Sequence, residues 1–417
     1  MATKGYWELL MSNPFFRRLY LARQISLLGD WFALLAILAL LRSIGAESAS
    51  SFGFALVLKN LPSLFVTPWA GVCADSYDRK KIMVITDLIR FFLTLCFFLV
   101  LIWPKSWIVY FIIVLQSIAS TFFEPAQQAF LPSIVAKEDL STANALGAVT
   151  WSIMLSFGAL VGGICTEYLG WRYTLAIDGG SYLVSMFFLL RINSSSTRTS
   201  EKLARTDILE ALNYIGSNLH CWTLVCAKGG WNLVGGVTLM LTLLGEQSPY
   251  GFLGVSILYC SRGVGTAIGP LVARYLSQNE PIRMEKLIFW GYLCGAIFYT
   301  PMFLFSELYF FSILIVLAHL GGATVWVFST VRLQQTIPEH ILGRVFAIEF
   351  AVWTIMFVSS TAFYSFVVDF LSWKPRDVLS LMGCTLLLPA IGWWIRNKKI
   401  HSFEEKEKIL SFSDKLD

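Results

Sequence analysis

The chain has 417 residues, of which 56% are hydrophobic and 14% charged, with a mean hydropathy of +0.65. A soluble domain carries about 25% charged residues, so this composition excludes a freely soluble globular protein. The formal net charge of +5 is no nucleic-acid signal, because the cations fall in short connections and cover no single face.

Met1 to Asn13 is mixed in polarity, with no short apolar core followed by a small-residue cleavage site, so the first apolar run is expected to be retained. Twelve runs of membrane length follow, near 15–41, 50–72, 81–103, 107–130, 142–166, 171–191, 219–244, 250–274, 284–305, 308–331, 343–370 and 376–396. Lipid offers no partner to orphan backbone groups, and the runs are too long for barrel strands. Helix is therefore expected throughout, giving an all-α membrane protein with twelve transmembrane helices.

Loop charge sets the expected orientation. Lys4, Arg17, Arg18, Arg79, Lys80, Lys81, Lys137, Arg191, Arg198, Lys202, Arg205, Arg283, Lys286, Arg344, Arg396, Lys398 and Lys399 fall on one side. The other side offers mainly Arg42, Lys105, Arg172, Lys374 and Arg376. Positive charge is retained inside, so both termini are expected in the cytoplasm.

The longest connection, 192–218, begins with the polar stretch Asn193-Ser194-Ser195-Ser196-Thr197 and continues into a segment where Ile208, Leu212 and Ile215 share a helical face. A short amphipathic helix on the membrane surface is expected there. The expected organisation is an N-terminal six-helix bundle at 1–191, a cytoplasmic linker at 192–218, a C-terminal six-helix bundle at 219–396 and a cytoplasmic tail at 397–417.

The two halves are alike. Leu28-Gly29-Asp30-Trp31-Phe32 lines up with Lys228-Gly229-Gly230-Trp231-Asn232, and the same spacing sets Phe52 on Phe252 and Leu58 on Leu258. Trp151 falls opposite Trp353 with a small gap. Matches at the same place in each half favour two pseudo-symmetric bundles related by an axis along the membrane normal, with a substrate held between them near mid-bilayer.

The loop Gly71-Val72-Cys73-Ala74-Asp75-Ser76-Tyr77-Asp78-Arg79-Lys80-Lys81 joins the second and third runs. Together with Arg23 to Trp31 (RQISLLGDW), Asp87-Leu88-Ile89-Arg90, Phe122 to Pro132 (FFEPAQQAFLP), Asn144-Ala145-Leu146 and Gly343-Arg344-Val345, it resembles the major facilitator superfamily over the whole chain. The resemblance is to its branch of bacterial proton-linked exporters that includes macrolide-efflux and enterobactin-export proteins. It departs at Ser76, where many members carry a cation, and at Asp78, where the usual residue is Gly. Gly158-Ala159-Leu160-Val161-Gly162-Gly163 also lacks the Pro of the antiporter motif. The resemblance implies a cavity between the halves and a cytoplasmic latch. In that latch Asp75, beside Gly71, meets the start of the eleventh helix at Gly343 and Arg344, and Arg79 bridges to the fourth. Helix dipole and guanidinium would both favour a carboxylate at that point.

Ionised groups at mid-membrane have a partner or a task. Asp30 lies about fifteen residues into the first run, near mid-depth at about 1.5 Å per residue. It is either a proton acceptor or the partner of a cation such as Lys228 or Lys59. Lys59, Lys228, Arg262 and His319 fall at similar depth, on runs that line the cavity by resemblance. With Asp30 as their opposing acid, the cavity is expected to be net positive and to suit an anionic or zwitterionic substrate, with Arg262 or Lys228 as counter-ion. The alternative is that these cations snorkel or pair structurally. His319 is a proton-relay candidate or a hydrogen-bonded packing residue. Glu124 is expected to meet Arg90 in a gate-type ion pair. Trp31 and Trp231 are cavity candidates on repeat symmetry alone.

The intramembrane glycines read as close helix packing, since none follows a strand and no GK[ST] occurs. The eight cysteines are scattered singly, so neither a disulfide framework nor a metal site is expected, and no cofactor. The expected function is a proton-coupled secondary exporter of a small amphipathic or anionic molecule, acting as a monomer by alternating access. A metabolite importer or lysolipid flippase on the same fold is the alternative. A membrane enzyme or sensor fits poorly, because no connection holds a catalytic domain and HExxH, GxSxG and phosphate loops are absent.

Overall fold

The computed structural model describes residues 5–193, 208–278 and 280–397. Its elements are helical among the described residues. In order they are α1 (Tyr6–Ser12), α2 (Pro14–Ser43), α3 (Ala49–Ser76), α4 (Arg79–Cys96), α5 (Ser106–Ile134), α6 (Leu140–Leu190), α7 (Ile208–Ser217), α8 (Leu219–Trp231), α9 (Val237–Glu246), α10 (Gly251–Ser277), α11 (Pro281–Tyr299), α12 (Leu308–Thr336), α13 (Glu339–Leu371) and α14 (Pro375–Thr385).

Local chemistry explains where several of these begin and break. Asn13 caps α2 by accepting from the backbone N–H groups of Phe15 and Phe16, with Pro14 at the first helical position. Asp78 does the same for α4, accepting from Lys81 N at 3.1 Å. The acid found where the family usually has Gly is therefore a helix cap. Inside α6, Gly170 sits at φ +79°, ψ 165°, a conformation that a side chain would strain. There α6 changes direction.

Eleven helices among the described residues are long and apolar enough to cross a membrane. One of them, Thr142–Leu190, has 49 residues. At about 1.5 Å per residue it far exceeds a hydrocarbon core of about 30 Å, and the break at Gly170 divides it into two membrane-length arms. Large apolar side chains such as Trp69, Trp107, Leu271, Tyr275 and Phe370 point outward, the surface expected of a chain solvated by lipid.

The chain divides by compactness into two units. The first holds 1–206, 236–264 and 361–375; the second holds 207–235, 265–360 and 376–417. Both α10 and α13 contribute to each. In the first unit α2 packs along α6, α3 along α5, and α4 against α5 and α6. Leu19, Ala22, Met83, Phe123 and Phe130 make a buried cluster there. In the second unit α11 lies on α12, and α12 on α8. A methyl group added at Gly291 would stand 2.7 Å from the Gly321 carbonyl oxygen, so the small residues let the two backbones touch.

The linker helix α7 forms; among its described side chains Ala211 and Ile215 are buried and Leu212 is 41% exposed.

Candidate functional site

Three helices of the first unit carry polar residues at one-face helical spacing in otherwise apolar sequence. These are Arg23, Ser26 and Asp30 on α2, Asp87, Arg90 and Thr94 on α4, and Asp178, Tyr182 and Ser185 on the second arm of α6. The stripes converge on Arg90, which is 4% exposed. Its guanidinium pairs with Asp30, donates to Ser26 Oγ at 3.2 Å and to Tyr182 Oη at 2.9 Å, and lies 3.9 Å from Asp87. It also stacks 4.2 Å from the Tyr182 ring centroid. Tyr182 in turn donates to Asp30 at 3.1 Å.

Asp87 accepts from Ser185 Oγ at 2.6 Å, and Asp178 from Thr94 Oγ1 at 3.2 Å. Gln116 on α5 extends the network by donating to Thr94 Oγ1 at 2.9 Å. One oxygen of Asp87 and one of Asp178 are buried without a hydrogen-bond partner among the described residues. Lys59 on α3 is exposed but lies in the electrostatic field of Asp30 and Asp178, and its backbone carbonyl accepts from Ser117. Three carboxylates therefore face Arg90 and Lys59, an excess of one negative charge when all are ionised.

Two expected pairings are corrected. Asp30 meets neither Lys228 nor Lys59 as its ion-pair partner; it meets Arg90, because the α4 stripe turns toward α2. Glu124 does not meet Arg90. It pairs with Arg23 at 2.5 Å, one helical face nearer its own end of α5. Asp30 is also not the lone acid at this depth: Asp87 and Asp178 join it in the first unit, and Glu349 stands beside Lys228 in the second.

In the second unit Lys228 is 7% exposed and pairs with Glu349 at 3.0 Å. Its ammonium lies 4.5 Å from the Trp326 ring centroid. Trp326 meets Trp353 edge-on, and Phe350, Trp353 and Phe357 stack along one face of α13. Lys228 thus has its counter-ion within the protein. Arg262 belongs to the first unit, donating to Thr238 Oγ1 at 2.6 Å. His319 is 4% exposed, held by Tyr299 at 3.2 Å and the Ile315 carbonyl at 3.1 Å, with Trp231 packed edge-on. Trp231 fills the space above Gly322 and Gly295, and Trp31 lies against Gly158 and Gly162.

Of the latch residues, Arg79 donates to the Ala129 carbonyl of α5 at 2.9 Å and to the Ala74 carbonyl at 3.1 Å. Arg344 pairs with Glu210 of α7. The side chain of Asp75 lies outside the described residues. A methyl group at Gly71 or Gly343 would meet nothing within 4 Å among the described residues.

Sequence reasoning missed Asp178, Tyr182, Glu349 and a network in the second unit. There Glu285 binds Arg332 and Arg396, each at 2.8 Å, beside His220. The spacing of Asp178, Tyr182 and Ser185 was a usable signal. Glu349 was visible as an acid inside an apolar run.

Paired, buried ionisable groups on facing helices of a multi-pass bundle define a membrane carrier in its broad class. The family model of the Major Facilitator Superfamily matches residues 19–361. The chain belongs to that superfamily. It is similar to the enterobactin exporter EntS of Escherichia coli O1:K1, with 25% identity over 81% of each chain. It is similar too to the staphyloferrin A transporter of Staphylococcus aureus (strain NCTC 8325), with 22% identity over 79% of this chain and 82% of that one. The crystal structure of the nucleoside transporter NupG (D323A mutant) superposes with a TM-score of 0.73 at 13% identity, over 91% of this chain and 99% of that one, and shares the fold. The protein is a multi-pass membrane transporter of a small molecule, not an enzyme.

Proposed function

We propose that the chain is a proton-coupled exporter of a small amphipathic molecule, working as a monomer by alternating access in the bacterial inner membrane. In this reading it has twelve crossings, grouped as bundles at 1–191 and 219–396, with both termini in the cytoplasm. The observation that carries the coupling is the cluster of Asp30, Asp87 and Asp178 around Arg90. An uncompensated buried charge is costly. Uptake of one proton makes the cluster neutral, and its release restores the charge when the site opens to the other side. Asp30 is the acid suited to exchange, being 28% exposed at its side chain while Asp87 and Asp178 are fully buried. Export as the direction is supported by the similarity to EntS.

The test begins with metabolites that a deletion strain retains. These are supplied to proteoliposomes bearing an imposed pH gradient. Accumulation driven by an acid interior is expected for the wild type. Asp30→Asn should lose gradient-driven accumulation about tenfold or more, because the titrating charge of a buried pair is gone, yet still exchange cargo at equal pH. Wild-type movement that ignores the gradient would sink proton coupling.

A further inference from the structure

A second polar site lies in the first unit, beside the Arg90 cluster and sharing the α2 polar stripe with it through Arg23. Arg23 and Gln24 on α2, Glu124 and Gln128 on α5, and Asn144 and Trp151 on α6 line a cavity of about 410 Å³. That volume suits a small molecule, whose sites span roughly 300–1,000 Å³. The polar side chains come from three helices and converge, while Leu27, Leu131 and Leu140 supply the apolar part of the wall.

The charges in this cavity balance. Arg23 and Glu124 hold each other at 2.5 Å, with side chains 21% and 46% exposed. A ligand carrying one charge would satisfy one of them and strip the other of its partner, which disfavours simple anions and simple cations alike. A ligand bearing both a carboxylate and an ammonium can take the place of each partner at once. The rest of the lining suits the same chemistry. Carboxamides at Gln24, Gln128 and Asn144 both donate and accept, as an amide-containing ligand requires. The buried amide oxygen of Gln24 has no partner among the described residues. Trp151, 45% exposed, offers a face on which an apolar or aromatic side chain can lie.

We infer that this cavity binds a zwitterion of the amino-acid or short-peptide type, its carboxylate against Arg23 and its ammonium against Glu124. The inference deepens the transporter reading by naming a substrate class, and it rests on that reading only in taking the bound molecule as cargo.

The experiment measures binding to the purified full-length chain in nanodiscs without any gradient, so its outcome is independent of proton coupling. The probes are the twenty common amino acids and alanyl-phenylalanine, each compared with its N-acetyl and C-amide forms. At least one zwitterion is expected to bind saturably. Blocking either end should weaken it about tenfold or more, the size of one charge-assisted hydrogen bond. In Arg23→Gln the amide and the free acid should bind alike. In Glu124→Gln the acetylated and free amines should bind alike. The double exchange Arg23→Glu with Glu124→Arg keeps the pair, guards against misfolding of the single variants, and should restore binding at least in part. Absence of saturable binding by every zwitterion, or equal binding of blocked and free forms to the wild type, overturns the inference while leaving the gradient measurements standing.

Discussion

Arg90 holds its position because each of its contacts comes from a different direction: Asp30 and Ser26 from α2, Tyr182 from α6, and Asp87 from its own helix. A guanidinium suits this, since its planar fork donates in several directions at once. The site also depends on a residue that carries no charge. Gly29 precedes Asp30 and is buried; a methyl group there would lie 2.8 Å from Asp178 Oδ1 and 3.0 Å from Ser181 Cβ. Glycine thus sets how close α6 can bring Asp178 to Asp30. Gly29→Ala should force those side chains apart and cost about 1–3 kcal/mol, the range for overpacking a tight site. The expected outcome is a lower melting midpoint in detergent together with weaker gradient-driven transport. An alanine variant with the wild-type midpoint and rate would show that the carboxylates have room to spare.

Two helices of the first unit begin under carboxylates borrowed from elsewhere in the chain. Asp369, at the end of α13, accepts from the backbone N–H groups of Ala49 and Ser50 at 3.1 and 2.7 Å, and so covers the start of α3. Glu167, near the end of the first arm of α6, accepts from Phe252 N at 2.9 Å and covers the start of α10. Anionic groups satisfy orphan N–H groups and oppose the helix dipole at such points. Each truncation, Asp369→Ala or Glu167→Ala, should lower stability by about 1 kcal/mol, and because the sites share no partner the double variant should show nearly the sum. Thermal unfolding of the three variants in detergent measures this; a double variant no worse than either single would mean the caps are coupled. These caps also mark the limit of what sequence could reveal. Run length placed the helices, depth singled out Asp30, and the family resemblance carried Asp87 and Arg90. None of these supplies the rotation of one helix against another, so Arg90 was paired with Glu124 and Lys228 was left without Glu349. Asp369 and Glu167 lie at helix ends, where an acid is unremarkable until the partner N–H groups are known.

At the scale of the whole molecule, the loop at 71–81 joins topology to architecture. Its cations are committed to neighbouring backbone: Lys80 Nζ donates to the carbonyls of Leu190 and Ile192 at 2.9 and 2.8 Å, and Arg79 to that of Ala129. Arg18 similarly donates to the Arg191 carbonyl at 2.5 Å. Carbonyls at helix C-termini carry partial negative charge, and cations there are favourable. Under the proposed orientation, the cations that would hold this face in the cytoplasm also tie α5 and α6 to the loop. Lys81, by contrast, is exposed, so it reports on sidedness without disturbing those bonds. On the other face Lys105 precedes α5 in an exposed turn. The positive-inside rule places Lys81 in the cytoplasm and Lys105 outside. In a cysteine-free background, Lys105→Cys should react with a membrane-impermeant maleimide in intact cells. Lys81→Cys should react only after permeabilisation. Labelling of both positions in intact cells, or of Lys81→Cys alone, would refute the proposed orientation, because the two positions are separated by α4, a single crossing that must put them on opposite sides of the bilayer.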